Sequence, residues 1–118
     1  HLPVLLRRGR KVQELKPSGL WLGKSEQKSF DRAMQSATLN VQRGDVFLFF
    51  TDGIVEAHNS RRVEFGLKRL KKLFSSNSGS PRSLVSKCFK AVGAFAHNSP
   101  VLDDKTLLVV RITSIRQR

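Results

Sequence analysis

Apolar residues fall in short runs separated by polar and glycine-containing breaks. Residues 2–7 read as a strand, Arg8-Gly9-Arg10 as a turn, and residues 11–15 as the return strand of a hairpin. Lys16-Pro17-Ser18-Gly19 breaks that pattern, the apolar segment Leu20-Trp21-Leu22-Gly23 follows, and residues 24–28 are polar and loop-like. Two periods compete between residues 30 and 41. Phe30, Ala33, Met34 and Ala37 have helical spacing, whereas Ala37, Leu39 and Val41 alternate, and the second half is expected to be strand. Gln42-Arg43-Gly44-Asp45 is a turn. The run Val46-Phe47-Leu48-Phe49-Phe50 is continuously apolar between turn signals, the pattern of a strand buried on both faces.

Thr51-Asp52-Gly53 ends that run abruptly. Residues 54–57 suit one helical turn, and residues 58–62 are polar and expected at the surface. Leu67, Leu70, Leu73 and Phe74 define the inward side of a helix over residues 65–74. A Ser/Gly/Asn linker over residues 75–80 leads to Pro81, placed for the first turn of a second helix with Ser80 as its N-cap. Leu84, Val85, Cys88, Phe89, Val92, Phe95 and Ala96 form its apolar stripe, and Asn98-Ser99-Pro100 stops it. Asp103-Asp104-Lys105 precedes a second strongly apolar strand over residues 106–112, and the chain ends in a basic tail.

The 118 residues are the size of one domain or part of a larger one, and 39% hydrophobic content gathered in runs is enough for a core. No apolar stretch approaches the ~20 residues of a membrane-spanning helix. The N-terminal order, apolar and then basic, is the reverse of a secretory leader and predicts none. The lone cysteine, Cys88, excludes an intrachain disulfide framework and a cysteine-based zinc cage, and it sits on a helix's apolar stripe as a small core residue. A reducing, cytoplasmic setting is the expectation.

Lys and Arg number 22 against 9 acids, a net charge of +13. Such an excess attracts polyanions. The basic residues are nevertheless dispersed, and the densest runs, Arg7-Arg8-Gly9-Arg10-Lys11 and Lys68-Arg69-Leu70-Lys71-Lys72, read as solvated surface on strand ends and on the polar side of a helix. The aromatics are eight Phe and one Trp, mostly at core-like positions, so base-stacking platforms are not evident. The charge fits an anionic partner of some kind, including a phosphoprotein or an acidic partner domain, and does not choose among them.

Two acidic features flank the two most apolar strands. Asp52 directly follows Val46–Phe50, and Asp103-Asp104 directly precedes residues 106–112. If these strands are antiparallel neighbours, Asp52 lies beside the pair at one edge of the sheet. Crowded carboxylates repel, and hard oxygen donors suit Mg²⁺ or Mn²⁺. Gly53 lets the backbone turn sharply and approach closely. Taken singly, each feature is ordinary turn chemistry.

Together, and in this order, they resemble a family. Residues 44–59, with Thr51-Asp52-Gly53-Ile54-Val55-Glu56-Ala57 at their centre, are similar to the signature of bacterial PPM-type serine/threonine phosphatases, in the branch of the stage II sporulation protein E and the stress-response sigma regulators. Phe65-Gly66 with Arg69-Leu70, the closing run Asp103-Asp104-Lys105-Thr106-Leu107-Leu108-Val109-Val110-Arg111, the His1-Leu2-Pro3 segment and Leu20–Gly23 fit the same pattern.

The resemblance implies an α+β fold, a partial antiparallel β-sandwich flanked by helices. Residues 1–118 would be the C-terminal portion of one phosphatase domain whose N-terminal half is missing. It implies metal-assisted hydrolysis of phosphoserine or phosphothreonine on a regulatory phosphoprotein, such as an anti-sigma-factor antagonist, with two Mn²⁺ or Mg²⁺ ions in the intact site. Asp52 and Asp103 are the implied metal ligands, and Asp104 and Gly53 would be ligands or lie just behind them. The missing half carries further ligands, so these 118 residues alone are expected to bind metal weakly and to have little activity. The alternative is a non-catalytic interaction module on a partial phosphatase fold; a nonspecific nucleic-acid binder is a third reading, on charge alone. His58 and His97 lie in loop-like stretches without evident partners, Trp21 reads as packing, and Glu56 supports the Asp-Gly turn.

Overall fold

The structure is a computed structural model, and it describes residues 2–16, 27–97, 99–101 and 103–115. The segment Leu20–Gly23, with Trp21, lies outside the described residues. Strands β1 (Val4–Arg8) and β2 (Lys11–Leu15) form a hairpin in register from Val4 opposite Leu15 to Arg8 opposite Lys11. Gly9, at φ +60°, makes the tight turn that a residue with a Cβ would strain. Strand β3 (Val46–Phe50) pairs antiparallel with β1 on one side and with β4 (Leu107–Arg111) on the other, giving a four-stranded sheet of order β2-β1-β3-β4.

The helices are α1 (Gln27–Ala33), the single turn α2 (Asp52–Val55), α3 (Gly66–Ser76) and α4 (Pro81–Phe95). Helix α3 lies over β1 and β2, and α4 over β4. Period-2 alternation sends Leu5, Val46 and Leu48 to that side, where they meet Leu70 and Phe74 of α3 and Leu84, Cys88 and Val92 of α4; Ile54, Val55 and Phe65 complete the core. Ser80 caps α4 by accepting from the Ser83 N–H at 3.2 Å, with Pro81 in the first turn. Phe65 and Phe95 pack edge-on at 5.5 Å, and the Arg69 guanidinium stacks over Phe95 while donating to the Glu64 and Phe65 carbonyls. These contacts tie the start of α3 to the end of α4.

Four expectations need correction. Residues 34–45 contain no strand, and α1 already includes Gln27 and Lys28 of the segment read as loop. The alternation of Ala37, Leu39 and Val41 lacks a buried face to serve: Ala37 and Val41 are exposed, and among the described residues no strand pairs with this segment. It is held instead by Arg8, whose guanidinium donates to the Asn40 carbonyl at 2.9 Å and grips Asp45 through two bonds of 2.9 and 2.7 Å. Buried Asp45 also accepts from the Gln42 N–H at 2.8 Å, and the hydrogen bond from Arg8 holds its carboxyl below the ordinary range.

Second, Val46–Phe50 is buried on one face only. Phe49 on β3 and Leu108 and Val110 on β4 stand exposed on the side away from the helices. Third, the basic run at the first hairpin is not all solvated surface, because alternation turns Arg7 inward to 5% exposure. Fourth, Phe89 lies exposed, off the buried stripe of α4, and that helix ends at Phe95, ahead of the Asn98-Ser99-Pro100 stop. The molecule is a slab of 46 × 40 × 19 Å with a radius of gyration of 16.4 Å. A compact chain of this length has roughly 13.5 Å. One sheet under one helical layer accounts for that flatness, with Phe49, Leu108 and Val110 left exposed on the other face, although Leu6 on that face is buried.

Candidate metal centre

Antiparallel pairing of β3 and β4 sets Phe50 opposite Leu107. The residues just after β3 and just before β4 therefore share one rim of the sheet, although Asp52 and Asp103 are far apart in sequence. Thr51 fastens the two segments. Its N–H donates to the Thr106 carbonyl at 3.2 Å, its hydroxyl donates to the Asp104 carbonyl at 3.0 Å, and that hydroxyl accepts from the Thr106 N–H at 2.9 Å. Thr51 was missed in the sequence because a threonine between a strand and an Asp-Gly turn carries no signal of a cross-strand clasp.

Asp52 opens α2, and its Oδ1 accepts from the Gly53 N–H at 3.0 Å. Gly53 is buried directly against the partner segment: a Cβ built on it would lie 2.4 Å from the Asp104 carbonyl oxygen and 3.3 Å from that of Asp103. Only glycine allows this approach. Asp103 Oδ1 in turn accepts from the Asp104 N–H at 2.7 Å. Asp52, Asp103 and Asp104 are all exposed. The rim thus puts the Asp-Gly turn in backbone contact with the Asp-Asp segment, and so draws on three of the chain's nine acids.

The donor set fits a hard divalent cation in part. Each of Asp52 and Asp103 has one carboxylate oxygen taken by a neighbouring N–H, which fixes the side chain and leaves Oδ2 outside these bonds. Magnesium and manganese favour near-octahedral oxygen coordination. Among the described residues no group of three or more His, Cys, Asp or Glu side chains is gathered closely enough to hold a metal ion. Two or three carboxylates at a rim make a partial cage that needs further ligands or water.

A cleft of about 320 Å³ opens beside this rim and shares Gly53 and Asp103 with it. Glu56 and Ala57 line one wall, with His58, Arg62 and Glu64 from a tight hairpin, and Ser99–Val101 and Lys105 close the other side. Asn59 builds the hairpin by accepting from the Arg61 and Val63 N–H groups, and His58 bridges to Glu64. Arg62 is held at φ +58°, an unusual conformation for a residue with a side chain. The sequence marked residues 58–62 only as polar surface, and His58 in fact lines this cleft. His97 lies exposed beyond the end of α4.

Comparison with known proteins bears on the fold and the family. The family model of stage II sporulation protein E matches residues 1–113. The PP2C domain of SiaA from Pseudomonas aeruginosa superposes with a TM-score of 0.79 at 19% identity, covering 93% of this chain and 43% of that one. The SpoIIE phosphatase domain of Bacillus subtilis, in a crystal form without domain swapping, gives 0.74 at 23% identity and covers 100% and 49%. A manganese-presoaked form of that domain gives 0.69 at 20% identity and covers 98% and 49%. No curated protein sequence matches. The chain spans about half the length of the solved domains it resembles, and its fold is that of part of a PP2C-type phosphatase domain. The chain belongs to the stage II sporulation protein E family.

Proposed function

We propose that these residues form the C-terminal portion of a metal-dependent protein serine/threonine phosphatase domain, acting on phosphoserine or phosphothreonine of a regulatory phosphoprotein. The observation that carries the reading is the Asp52-Gly53 turn seated against Asp103-Asp104 at the shared rim of β3 and β4. Asp52 and Asp103 would hold a Mn²⁺ or Mg²⁺ ion, with Asp104 at the adjoining position and Gly53 permitting the approach. A divalent cation there supplies charge neutralisation at the phosphoryl oxygens and makes a water more acidic.

This chain's own contribution is positioning. Thr51 locks the two acidic segments together, and the Gly53 and Asp104 N–H groups orient the two ligand carboxylates. The cleft beside the rim receives the substrate segment, with Arg62 and Lys105 placed to meet its negative charge. The remaining ligands come from the other half of the domain, which packs on the exposed sheet face around Phe49, Leu108 and Val110. The structural relatives of about twice this length support that arrangement. An anti-sigma-factor antagonist is the proposed class of phosphoprotein, on family membership.

The test uses the full-length protein. Mn²⁺- or Mg²⁺-dependent phosphate release from a phosphoserine protein, lost in Asp52→Asn while partner binding persists, is the expected result. Unchanged hydrolysis in that variant overturns the reading, and partner binding without hydrolysis in the wild type favours the interaction module.

A further inference from the structure

The end of the sheet opposite the acidic rim gathers positive charge. Arg7 of β1 and Arg111 of β4 both lie in register with Val46 of β3, on the helix side of the sheet. Their Cα atoms are therefore two strand spacings apart, roughly 9.5 Å. Both reach the α3–α4 linker: Arg7 donates to the Phe74 carbonyl at 2.5 Å and to the Asn77 carbonyl, and Arg111 to those of Ser78 and Gly79. With Arg10, Ser75, Ser76 and Ser78 they line an open cavity of about 750 Å³.

This is more than a capped helix end. Among the described residues no carboxylate lines the cavity. The acid nearest in sequence, Asp45, is consumed by Arg8, which alternation places on the opposite face from Arg7. Buried cations are ordinarily paired with an anion, yet Arg7, at 5% exposure, meets only carbonyl oxygens and the ring of Phe74. Both of these bonds use Nη1. Nε and Nη2 donate to nothing among the described residues, and neither is sealed from solvent, so they open toward the cavity. Burial and the charge of Arg111 both lower its pKa, a repulsion that a bound anion would relieve. Stacking on Phe74 holds the guanidinium in place before any ligand arrives.

We propose that this cavity binds a small anion carrying two linked phosphoryl groups, a pyrophosphate or the diphosphate end of a nucleotide. Arg7 and Arg111, two strand spacings apart, with Arg10 also lining the cavity, match two adjacent phosphates better than one, and guanidinium forks suit phosphate oxygens. The Ser78 hydroxyl supplies a neutral donor, whereas those of Ser75 and Ser76 already donate to the Lys72 and Leu73 carbonyls. Among the described residues no aromatic ring lines the cavity, so it reads phosphate and not base. The site lies on the helix side of the sheet, away from exposed Phe49, Leu108 and Val110.

The test is calorimetric titration of the full-length protein with orthophosphate, pyrophosphate and ADP, in EDTA and at low salt. Chelation removes any metal centre, so the outcome is independent of the phosphatase reading. Pyrophosphate and ADP are expected to bind within about threefold of each other and at least tenfold more tightly than orthophosphate. Arg10→Ala, an exposed position, should weaken pyrophosphate at least fivefold, and Arg7→Gln should abolish binding. Should Arg7→Gln fail to fold, Arg10→Ala and Ser78→Ala carry the test. Lys68→Ala, on α3 outside the cavity, should leave binding unchanged. The proposal is overturned if Lys68→Ala weakens binding as much as Arg10→Ala, if orthophosphate binds as well as pyrophosphate, or if ADP binds and pyrophosphate does not.

Discussion

Replacing Gly53 with alanine adds one methyl group at the point where the two acidic segments touch. The new carbon would lie 2.4 Å from the Asp104 carbonyl oxygen and 3.0 Å from its carbon. Those atoms are backbone, and Thr51 pins them through its hydroxyl. Ordinary contact begins near 3.4 Å, so the segments must separate by about 1 Å. Overpacking of this kind costs roughly 1–3 kcal/mol. For a domain twice this length the Tm should fall by about 2–12 °C. Function should suffer more than stability, because displacing a catalytic constellation by ~1 Å can reduce rate about 10²-fold. Thermal unfolding and Mn²⁺-dependent hydrolysis of p-nitrophenyl phosphate, both on the full-length protein, measure the two effects. A Gly53→Ala variant with wild-type Tm and wild-type manganese dependence would refute the close approach and the reasoning built on it.

Other expectations follow from the same structure. Asp45 has a folded-state pKa below its unfolded one, so its contribution to stability is complete above the ordinary carboxylate value, ~3.9, and is lost as pH falls from there through the lower folded value. Urea unfolding from pH 7 to pH 2 should show the difference between wild type and Asp45→Asn shrinking on acidification; a constant difference would contradict it. Cys88 is fully buried, with its thiol pKa pushed up to about 11 by burial, so a thiol reagent at pH 8 should label it only at the rate of unfolding. Immediate labelling in the native protein would place it elsewhere. Phe49→Lys should destabilise the full-length protein by about 2 kcal/mol or more by setting a charge in the covered face, yet leave the 118-residue chain nearly unaffected, because Phe49 is already 40% exposed there. Equal effects in both would mean that nothing packs on that face.

The hairpin, β3, β4 and the two long helices could be read from the chain because their signals are local: alternation, 3.6-residue spacing, a Ser80-Pro81 cap. The partner of β3 could be guessed only from two apolar runs with acids at matching ends, and the pairing of Phe50 with Leu107 supplies the register. What stayed hidden depends on which faces are covered. Val46–Phe50 reads as doubly buried because the sequence is suited to a sandwich, whereas this half leaves Phe49 in solvent. Ala37, Leu39 and Val41 alternate with no sheet beside them. Arg7 and Arg8 are adjacent in a basic run, and only the strand's alternation separates a buried guanidinium from one that grips Asp45. At the rim, Asp52 and Asp103 were visible as residues, but the Thr51 clasp and the backbone contact at Gly53 are tertiary facts.

The central claim is that Asp52 and Asp103, from distant stretches, act on one metal-dependent chemistry. A double-mutant cycle in the full-length protein tests it most directly, with Asp52→Asn, Asp103→Asn and the pair compared for Mn²⁺-dependent phosphate release. Residues that act as a unit are strongly non-additive. Each single variant should lose roughly 10²-fold or more of the rate, and the double variant should be little worse than the weaker single one. Single variants with undiminished rates, or losses that multiply in the double variant, would show that the two carboxylates do not share a metal.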